Sequence, residues 1–269
     1  MRDFTDLPAG VIQRVREYFG FLEAEDASFV QDVYLVGSIA LGDYQEGRSD
    51  IDFVALLASP LSVTQIESLA RIHAAMTASE GPHFDGFYIE QAELERVPAP
   101  KWAPFSVDGV FRSDAVCFEI NPVTWLCLAQ HGISVRGRPA QALAIATDPA
   151  SLQSFEVDNL RTYWKPWIEE GSKALARKAP DEGADAAVLA WGVLGMLRIA
   201  CTLTTGRIVS KTEAGRWALT RYPLQWHPVI QDALSARFGE VTRLPITRCH
   251  RALEFMRYVI ADVLAAASR

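Results

Sequence analysis

Two aspartates stand one residue apart in the stretch VGSIALGDYQEGRSDIDFVALL, residues 36 to 57. Alternate residues of a strand point to the same face, so Asp50 and Asp52 project together while Ile51 and Phe53 point into a core. Two carboxylates about 4 Å apart repel by roughly 4 kcal/mol at an effective dielectric constant near 20. A shared proton or a divalent cation offsets this repulsion, and Mg²⁺ favours one or two carboxylates with phosphate oxygens and water. The pair therefore indicates a metal–nucleotide site. The structural alternative is that Asp50 caps a turn and Asp52 forms a surface salt bridge.

A Gly-Ser turn precedes the aspartates by about a dozen residues. Gly37 and Ser38 end the apolar run VYLVG, and the following IALG is compatible with a short helix. The first backbone N–H groups of a helix and its dipole favour a phosphate, glycine lets the backbone approach closely, and a serine hydroxyl adds a donor. A Gly-Ser turn alone is common. The turn, the spacing and the Asp-apolar-Asp strand together are much more specific.

Alternating helix and strand signals carry these residues in the first half of the chain. Apolar residues at helical spacing cover 7–23 and 62–78, with Ser62 as an N-cap. Short apolar runs predict strands at 33–37, 51–57 and 83–89, and three prolines predict a loop at 97–105. Alternation of this kind predicts an α/β unit.

The second half of the chain is helical in pattern, and its composition changes near Asp148-Pro149. We therefore predict one domain over 1–150 and a second over 151–269. Residues 186–206 are apolar enough to suggest a membrane span, but Arg198 interrupts them, and a central Arg costs roughly 2.5–3.5 kcal/mol on insertion. We interpret them as a core helix. The helical segments are expected at 121–131, 151–178, 184–205, 210–221, 225–238 and 245–267.

Bulk properties narrow the class of protein. A net charge of −7 argues against a general nucleic-acid binder and is compatible with a cationic partner. The four cysteines form no CxxC pair, so we expect buried, reduced thiols. The N-terminal residues lack the pattern of a signal peptide, which favours a cytoplasmic protein. No GxxxxGK[ST] motif supports a Walker-type NTPase.

The pattern apolar-Gly-Ser, spacer, Ser-Asp-Ile-Asp resembles the nucleotidyltransferase superfamily. The resemblance implies a small mixed sheet with helices and a third carboxylate from a neighbouring strand, for which Asp85 in HFDGFYI is the match. It also implies that Gly37, Ser38 and Ser49 bind nucleotide phosphate. A polar residue at a strand bend beside Gly86 is the alternative for Asp85.

Residues 197–230 are similar to the helical C-terminal domain of the streptomycin/spectinomycin adenylyltransferases. This resemblance implies an α+β fold, in which the N-terminal nucleotidyltransferase α/β domain is followed by an all-helical domain that closes the nucleotide/substrate cleft. It implies that Arg198 and Lys211 reach the triphosphate. The alternatives are an internal ion pair of Arg198 with Glu213 or Glu254, and a solvated helix start at Lys211. The matching elements are Arg198, Thr205-Gly206-Arg207-Ile208, Lys211, Trp217-Ala218-Leu219 and Pro223.

The resemblance implies Mg²⁺-dependent transfer of AMP from ATP to a hydroxyl of an aminoglycoside or aminocyclitol. Asp50, Asp52 and Asp85 would ligate metal, and Asp85 stands where the streptomycin enzymes use a Glu base. Trp102 and Asp185 are candidates for acceptor binding, and Val188 replaces an acidic residue of the family. Two alternatives stay open: transfer to another acceptor, and a nucleotide-binding module without turnover. We expect no nucleic-acid or membrane partner, and a monomer.

Overall fold

The computed structural model describes residues 4–179 and 182–267. The chain folds into two compact units, which divide between Asp148 and Pro149. The first unit is a mixed α/β domain and the second is predominantly helical. The predicted α+β class, an α/β domain followed by a helical one, is confirmed.

The first unit is built on a six-stranded mixed sheet. Strand β2 is parallel to β3, and every other neighbouring pair of this sheet is antiparallel. The order across the sheet is β6-β5-β3-β2-β1-β8, and β4 pairs separately with β7. The strands are β1 Val30–Leu35, β2 Ile51–Leu57, β3 Phe84–Glu90, β4 Lys101–Trp102, β5 Phe105–Val107, β6 Val110–Arg112, β7 Val116–Cys117 and β8 Ile133–Arg136; the helices are α1 Ala9–Ala24, α2 Gly37–Ala40, α3 Val63–Ala78 and α4 Pro122–His131.

The three strands expected from sequence are present within a few residues, but three further strands of the sheet were missed. Strands β5, β6 and β8 have only three or four residues, too few to show an alternating pattern. The prediction of a loop over 97–105 was wrong in part, because β4 lies inside it. These short strands matter because β5 and its turn to β6 contact Asp85.

Both faces of β2 are buried, which explains its nearly continuous apolar sequence. Ile51 and Phe53 lie in one core with residues of α1 and α3, and Ser62 caps α3 through a capping box. Phe87 of β3 stacks on Trp125 of α4 at 6.0 Å between ring centroids, which places α4 over the other face. Asp52 interrupts that second apolar face.

The second unit packs its helices around α7. Twelve of the twenty residues of α7 are buried. By length and composition this helix could cross a membrane, yet 67% of its most apolar window is buried inside the unit, so the predicted core helix is confirmed. The elements are α5 Pro149–Asn159, a π-helical turn Leu160–Trp164, α6 Lys165–Ala176, β9 Ala184–Asp185, α7 Ala186–Thr205, α8 Lys211–Arg221, α9 His227–Arg237, β10 Arg243–Leu244 and α10 Ile246–Ala267.

The four cysteines are free and buried, as expected from their apolar neighbours. Burial raises the pKa of the Cys117 thiol to about 11, so this group stays protonated at neutral pH.

Candidate active site

Gly37 brings the backbone directly against the Asp52 carboxylate. Its φ of 60° lies in the left-handed region, and a Cβ atom there would lie 1.9 Å from Oδ2 of Asp52. Glycine is therefore required twice, for its conformation and for the close approach. The next residue, Ser38, has a buried Oγ that finds no hydrogen-bond partner in the described part of the chain. A buried hydroxyl without a partner is costly, which favours a ligand oxygen at this position.

Two of the three predicted carboxylates, Asp52 and Asp85, lie side by side at the starting ends of β2 and β3. Asp52 lies directly opposite Asp85 in the parallel register, so both side chains are on one face about 4.8 Å apart along the sheet. Asp50 precedes β2, is exposed, and its charge helps to raise the pKa of Asp85. The structure therefore places Asp85 beside Asp52, although the two residues lie on segments 33 residues apart in sequence, and brings it within electrostatic reach of Asp50.

Asp85 is buried, and one of its oxygens is already held. Its Oδ1 accepts hydrogen bonds from Ser106 Oγ of β5 at 3.0 Å and from the backbone N–H of Gly109 at 3.1 Å. Burial raises the pKa of this carboxyl, while the two hydrogen bonds lower it. Its Oδ2 accepts no hydrogen bond from the described residues, and that oxygen can serve a metal or a proton.

We expect Ser106→Ala to shift the acid limb of the pH–rate profile to higher pH. Ser106 donates to the ionised carboxylate, so its removal raises the pKa of Asp85 further and protonates this predicted base at a higher pH. The measurement is kcat/KM against pH. Ser134→Ala, which removes a hydroxyl bound to the backbone oxygen of Arg138, is the matched control. An acid limb that does not move would contradict a base role for Asp85.

Two residues that sequence reasoning did not place in the metal site lie beside Asp85. His83, Asp85 and Asp108 each offer one possible ligand atom, and these three atoms lie within 4.8 Å of one another. His83 directly precedes β3, and Asp108 occupies the β5–β6 turn with a φ of 51°. The sequence pattern did not indicate this group, because the β5–β6 turn comes close to β3 only when β5 pairs with β3.

Ser49 lies directly before the aspartates in a tight turn. Its Oγ accepts a hydrogen bond from the backbone N–H of Gln45 at 3.1 Å, which leaves the hydroxyl proton available as a donor. Asp50 and Glu46 both raise the pKa of nearby Tyr44, after burial as the main cause. This turn therefore sets a hydroxyl and a carboxylate side by side.

In the helical unit, Arg198 extends from α7 towards the segment that precedes α8. Its Nε donates to the backbone oxygen of Val209 at 3.0 Å. No carboxylate of residues 4–179 and 182–267 lies within 4 Å of its guanidinium. The ion pairs considered from sequence were wrong: Glu213 pairs with Arg207 at 3.1 Å, and Glu254 pairs with Arg251 at 2.8 Å.

Lys211 is the first residue of α8. Ser210 caps this helix by accepting a hydrogen bond from the backbone N–H of Glu213 at 3.1 Å. Val209, which holds Arg198, is two residues before Lys211. Local structure thus brings both expected phosphate ligands to the same segment of the helical unit.

Comparison with protein families decides the class of the chain. A family model described as a nucleotidyltransferase domain matches residues 12–99, which include the Gly-Ser turn and all three carboxylates. A second, described as the aminoglycoside adenylyltransferase C-terminal domain, matches residues 172–262, which include Arg198 and Lys211. The chain carries a nucleotidyltransferase domain and a C-terminal domain of the aminoglycoside adenylyltransferase type. It is an enzyme that resembles the aminoglycoside adenylyltransferases, as predicted.

One curated relative matches nearly the whole chain, and another matches a shorter part of it. An aminoglycoside (3'') (9) adenylyltransferase of Klebsiella pneumoniae is 26% identical over 275 residues, covering 95% of each chain. One of Rhizobium radiobacter is 31% identical over 77 residues, or 29% of each chain. The crystal structure of the spectinomycin adenyltransferase AAD(9) from Enterococcus faecialis, solved with ATP and spectinomycin, has a TM-score of 0.67 at 14% identity and covers 93% of this chain and 98% of its own. The last comparison supports the fold.

This nucleotidyltransferase also buries a carboxylate that the sequence did not single out. Glu156 of α5 is 4% exposed, and burial raises its pKa from 4.5 to about 7, although the charge of Arg198 lowers it. It accepts no hydrogen bond from the described residues. A Glu in a helix is usually solvated, so its residue type gave no reason to expect burial.

We expect Glu156→Gln to be more stable than the wild type at pH 8. The pKa of Glu156 is higher in the folded protein than in the unfolded chain. The free energy of unfolding of the wild type therefore falls as pH rises from 4.5 through about 7. Gln cannot ionise, and the gain is up to about 3 kcal/mol above pH 7 and absent near pH 4. Urea unfolding at both pH values measures it, with the exposed Glu254→Gln as control. Parallel pH dependences in the wild type and Glu156→Gln would refute the assignment.

The two acceptor-binding candidates are both exposed. Trp102 in β4 is 66% exposed, so its side chain does not fill the core. Asp185 caps α7 by accepting a hydrogen bond from the backbone N–H of Ala187 at 2.8 Å. Val188 is 54% exposed one turn further along α7. An acceptor role for Trp102 and Asp185 stays a prediction.

Proposed function

We propose that this enzyme transfers AMP from ATP to a hydroxyl of an aminoglycoside or aminocyclitol antibiotic in a Mg²⁺-dependent reaction. The observation that carries the proposal is the juxtaposition of Asp52 and Asp85 on parallel strands, with the Gly37 backbone closed against Asp52. The family assignment and the names of the relatives support adenylyl transfer and the antibiotic class.

The proposed metal site fits magnesium by the chemistry of its donors. Asp50, Asp52 and Oδ2 of Asp85 supply only hard carboxylate oxygens, which Mg²⁺ prefers together with phosphate oxygens. When bound, the metal would neutralise charge on the phosphates of the nucleotide. The positive charge of the metal would also offset the repulsion between the carboxylates of this chain.

The phosphates of ATP are assigned to groups that have donors to offer. In the first unit, the proposed phosphate ligands are the unpartnered Ser38 Oγ, the Ser49 hydroxyl and the backbone of Gly37. Arg198 and Lys211 are the proposed ligands from the second unit. The half-buried guanidinium of Arg198 forms no salt bridge within 4 Å, although its charge acts on buried Glu156, and it gains a charge-assisted hydrogen bond from phosphate.

Asp85 is the proposed general base. It takes the proton of the acceptor hydroxyl as that oxygen attacks the α-phosphorus; a new P–O bond forms, the bond to the β-phosphate oxygen breaks, and pyrophosphate leaves. Asp85 Oδ2 accepts no hydrogen bond from the described residues, so this oxygen can accept the proton. Its side chain is one methylene shorter than Glu, so a water can relay the proton.

The acceptor is proposed to be a cationic small molecule, bound by a monomeric enzyme in the cytoplasm with no nucleic-acid or membrane partner. The net charge of −7 is compatible with such an acceptor. Transfer to a different hydroxyl, on a protein or another small molecule, is the second candidate. A nucleotide-binding module without turnover is less consistent with three gathered carboxylates, since binding alone does not need them.

The test is direct analysis of products. Purified enzyme is incubated with ATP, Mg²⁺ and streptomycin, spectinomycin or other aminoglycosides, and pyrophosphate release and the mass of each acceptor are measured. We expect at least one acceptor to gain one AMP with stoichiometric pyrophosphate, and Asp50→Asn to form no product. ATP binding without pyrophosphate release on any of these acceptors would overturn the proposal. Expression in a sensitive bacterium identifies the drugs that are inactivated.

A further inference from the structure

A buried carboxylate and a half-buried guanidinium of the helical unit lie within electrostatic reach of each other without a hydrogen bond between them. Glu156 of α5 is 4% exposed, and neither of its oxygens accepts a hydrogen bond from the described residues. Arg198 of α7 donates through Nε to the backbone oxygen of Val209 at 3.0 Å, and its terminal nitrogens have no acceptor in the described part of the chain. Both charged groups therefore keep hydrogen-bonding capacity to offer.

The burial of Glu156 lowers stability, so it calls for a reason outside folding. An ionised carboxylate that leaves water without a hydrogen-bond partner is strongly disfavoured. Ionisable groups are nevertheless buried at functional sites, where a specific charge partner acts on them. The partner of Glu156 is Arg198, which is also the proposed ligand of the triphosphate. This connects the buried carboxylate with nucleotide binding.

Arg198 is the charged group that acts on Glu156 from the elements packed against α5. These elements are α7 and the π-helical turn. Arg198 is the one charged residue in the sequence of α7. The turn contributes Arg161, which is exposed and lies 3.9 Å from the exposed Asp158 of α5, and Tyr163, which is 47% exposed. None of these three affects the pKa of Glu156, so the carboxylate has a single counter-ion among the described residues.

We infer that Glu156 is the counter-ion of Arg198 in the enzyme without nucleotide, and that it takes up a proton when the triphosphate of ATP binds to Arg198. The inference rests on the proposed function, in which Arg198 contacts the phosphates. The anionic triphosphate offsets the charge of the guanidinium, so the ionised form of Glu156 loses its compensation. A proton from solvent then binds to a carboxylate oxygen of Glu156, and a neutral carboxyl group remains.

A protonated Glu156 has a hydrogen-bond acceptor on its own helix. Asn159 lies three residues later on α5, and its Oδ1 is buried without a partner among the described residues. Residues three apart are neighbours on a helix surface, so the carboxyl proton of Glu156 can be donated to this oxygen. An ionised Glu156 cannot donate. The neutral form therefore satisfies a buried acceptor that the charged form leaves unsatisfied, which favours proton uptake.

The two charge states of Glu156 predict how the affinity for ATP depends on pH. Burial raises the pKa of Glu156 to about 7, so near pH 6 the carboxyl is already mostly protonated before ATP binds. At pH 8 it is mostly ionised, and the proton that binding then requires weakens the affinity by up to about 10-fold. Glu156→Gln is neutral at both pH values and should not show this difference. A role in packing alone would change the affinity equally at both.

The experiment is calorimetric titration with ATP and Mg²⁺ at pH 6 and pH 8, in buffers of different ionisation enthalpy, which counts the protons taken up on binding. The proteins are the wild type, Glu156→Gln, Arg198→Ala and, as a control at an exposed glutamate of the same unit, Glu254→Gln. At pH 8 we expect the wild type and the control to take up roughly half a proton or more per ATP beyond Glu156→Gln. Glu156→Gln should bind ATP up to about 10-fold more tightly than the wild type at pH 8 and equally at pH 6. Arg198→Ala should bind ATP more weakly and lose the extra proton uptake.

Two results would overturn the inference while sparing the proposed function. They are equal proton uptake by the wild type and Glu156→Gln, and a change of ATP affinity in Glu156→Gln that is the same at pH 6 and pH 8. Thermal unfolding of each variant checks the fold. If Glu156→Gln does not fold, Arg198→Ala decides the question, because undiminished proton uptake by that variant contradicts the exchange of counter-ions. A wild-type enzyme that binds no ATP would overturn the proposed function itself, and the inference with it.

Discussion

Replacement of Asp52 by Asn is expected to reduce AMP transfer about 10³-fold and to leave the fold at least as stable as the wild type. The carboxylate lies directly opposite Asp85, so the amide removes a proposed metal ligand and a like-charge repulsion at once. Asp50→Asn should behave in the same way. Initial rates of pyrophosphate release and urea unfolding curves measure the two effects separately.

The control for this pair is Asp6→Asn, at an exposed aspartate in the same unit. It changes the net charge by the same amount, so it reports any effect of long-range electrostatics. A rate for Asp52→Asn within a few-fold of this control would show that the carboxylate does not take part in catalysis. A large loss of stability in Asp52→Asn would contradict the view that function, and not folding, requires this charge.

Gly37→Ala is expected to inactivate the enzyme by more than about 10²-fold. A methyl group at this position would lie 1.9 Å from Oδ2 of Asp52, so either the carboxylate or the turn must move. Displacement of a catalytic group by about 1 Å can cost 10²-fold in rate. The left-handed φ of 60° adds a strain of about 1–2 kcal/mol, which lowers stability as well. Kinetics and thermal unfolding of the purified variant measure both.

Gly47→Ala separates these two causes. Gly47 has a similar φ of 71°, but no atom lies within 4 Å of the Cβ that would be added. This variant should lose a comparable amount of stability from backbone strain and keep most of its activity. If Gly47→Ala and Gly37→Ala lost activity equally, strain in the loop, and not the contact with Asp52, would explain the loss.

The parts of the site that local sequence determines were predictable. Asp50 and Asp52 stand out as two charges in an apolar strand, and Gly37-Ser38 as a turn that closes the strand before it. The β2 segment was placed to the residue, because its apolar run ends at a polar turn on each side. Arg198 was conspicuous for the same reason, as one charge in an apolar helix.

The parts that depend on pairing between distant segments were not predictable. Ser106 and Gly109 hold Asp85 only because β5 pairs with β3, and β5 has three residues with no clear alternation. His83 and Asp108 meet through the same pairing. Glu156 is buried by the packing of α5 in the helical unit, which its own segment does not encode. Such contacts arise from tertiary structure and leave no signal in a short window.

Helix α2, which begins at the Gly-Ser turn, is too short for its dipole to bind phosphate strongly. Helix α2 is a single turn, Gly37–Ala40, so its dipole contributes little to phosphate binding. The unpartnered Ser38 hydroxyl and the close approach of the Gly37 backbone are the stronger reasons to place a phosphate at this turn.

The most direct test of the proposed metal site is to measure Mn²⁺ binding by electron paramagnetic resonance, with Mn²⁺ as the spectroscopic substitute for Mg²⁺. Titrations are made with and without a non-hydrolysable ATP analogue on the wild type, Asp50→Asn, Asp52→Asn and Asp6→Asn. We predict tight, nucleotide-dependent Mn²⁺ binding that is retained in Asp6→Asn and lost in the other two variants. Equal Mn²⁺ binding by all four proteins would contradict a metal site built on these carboxylates.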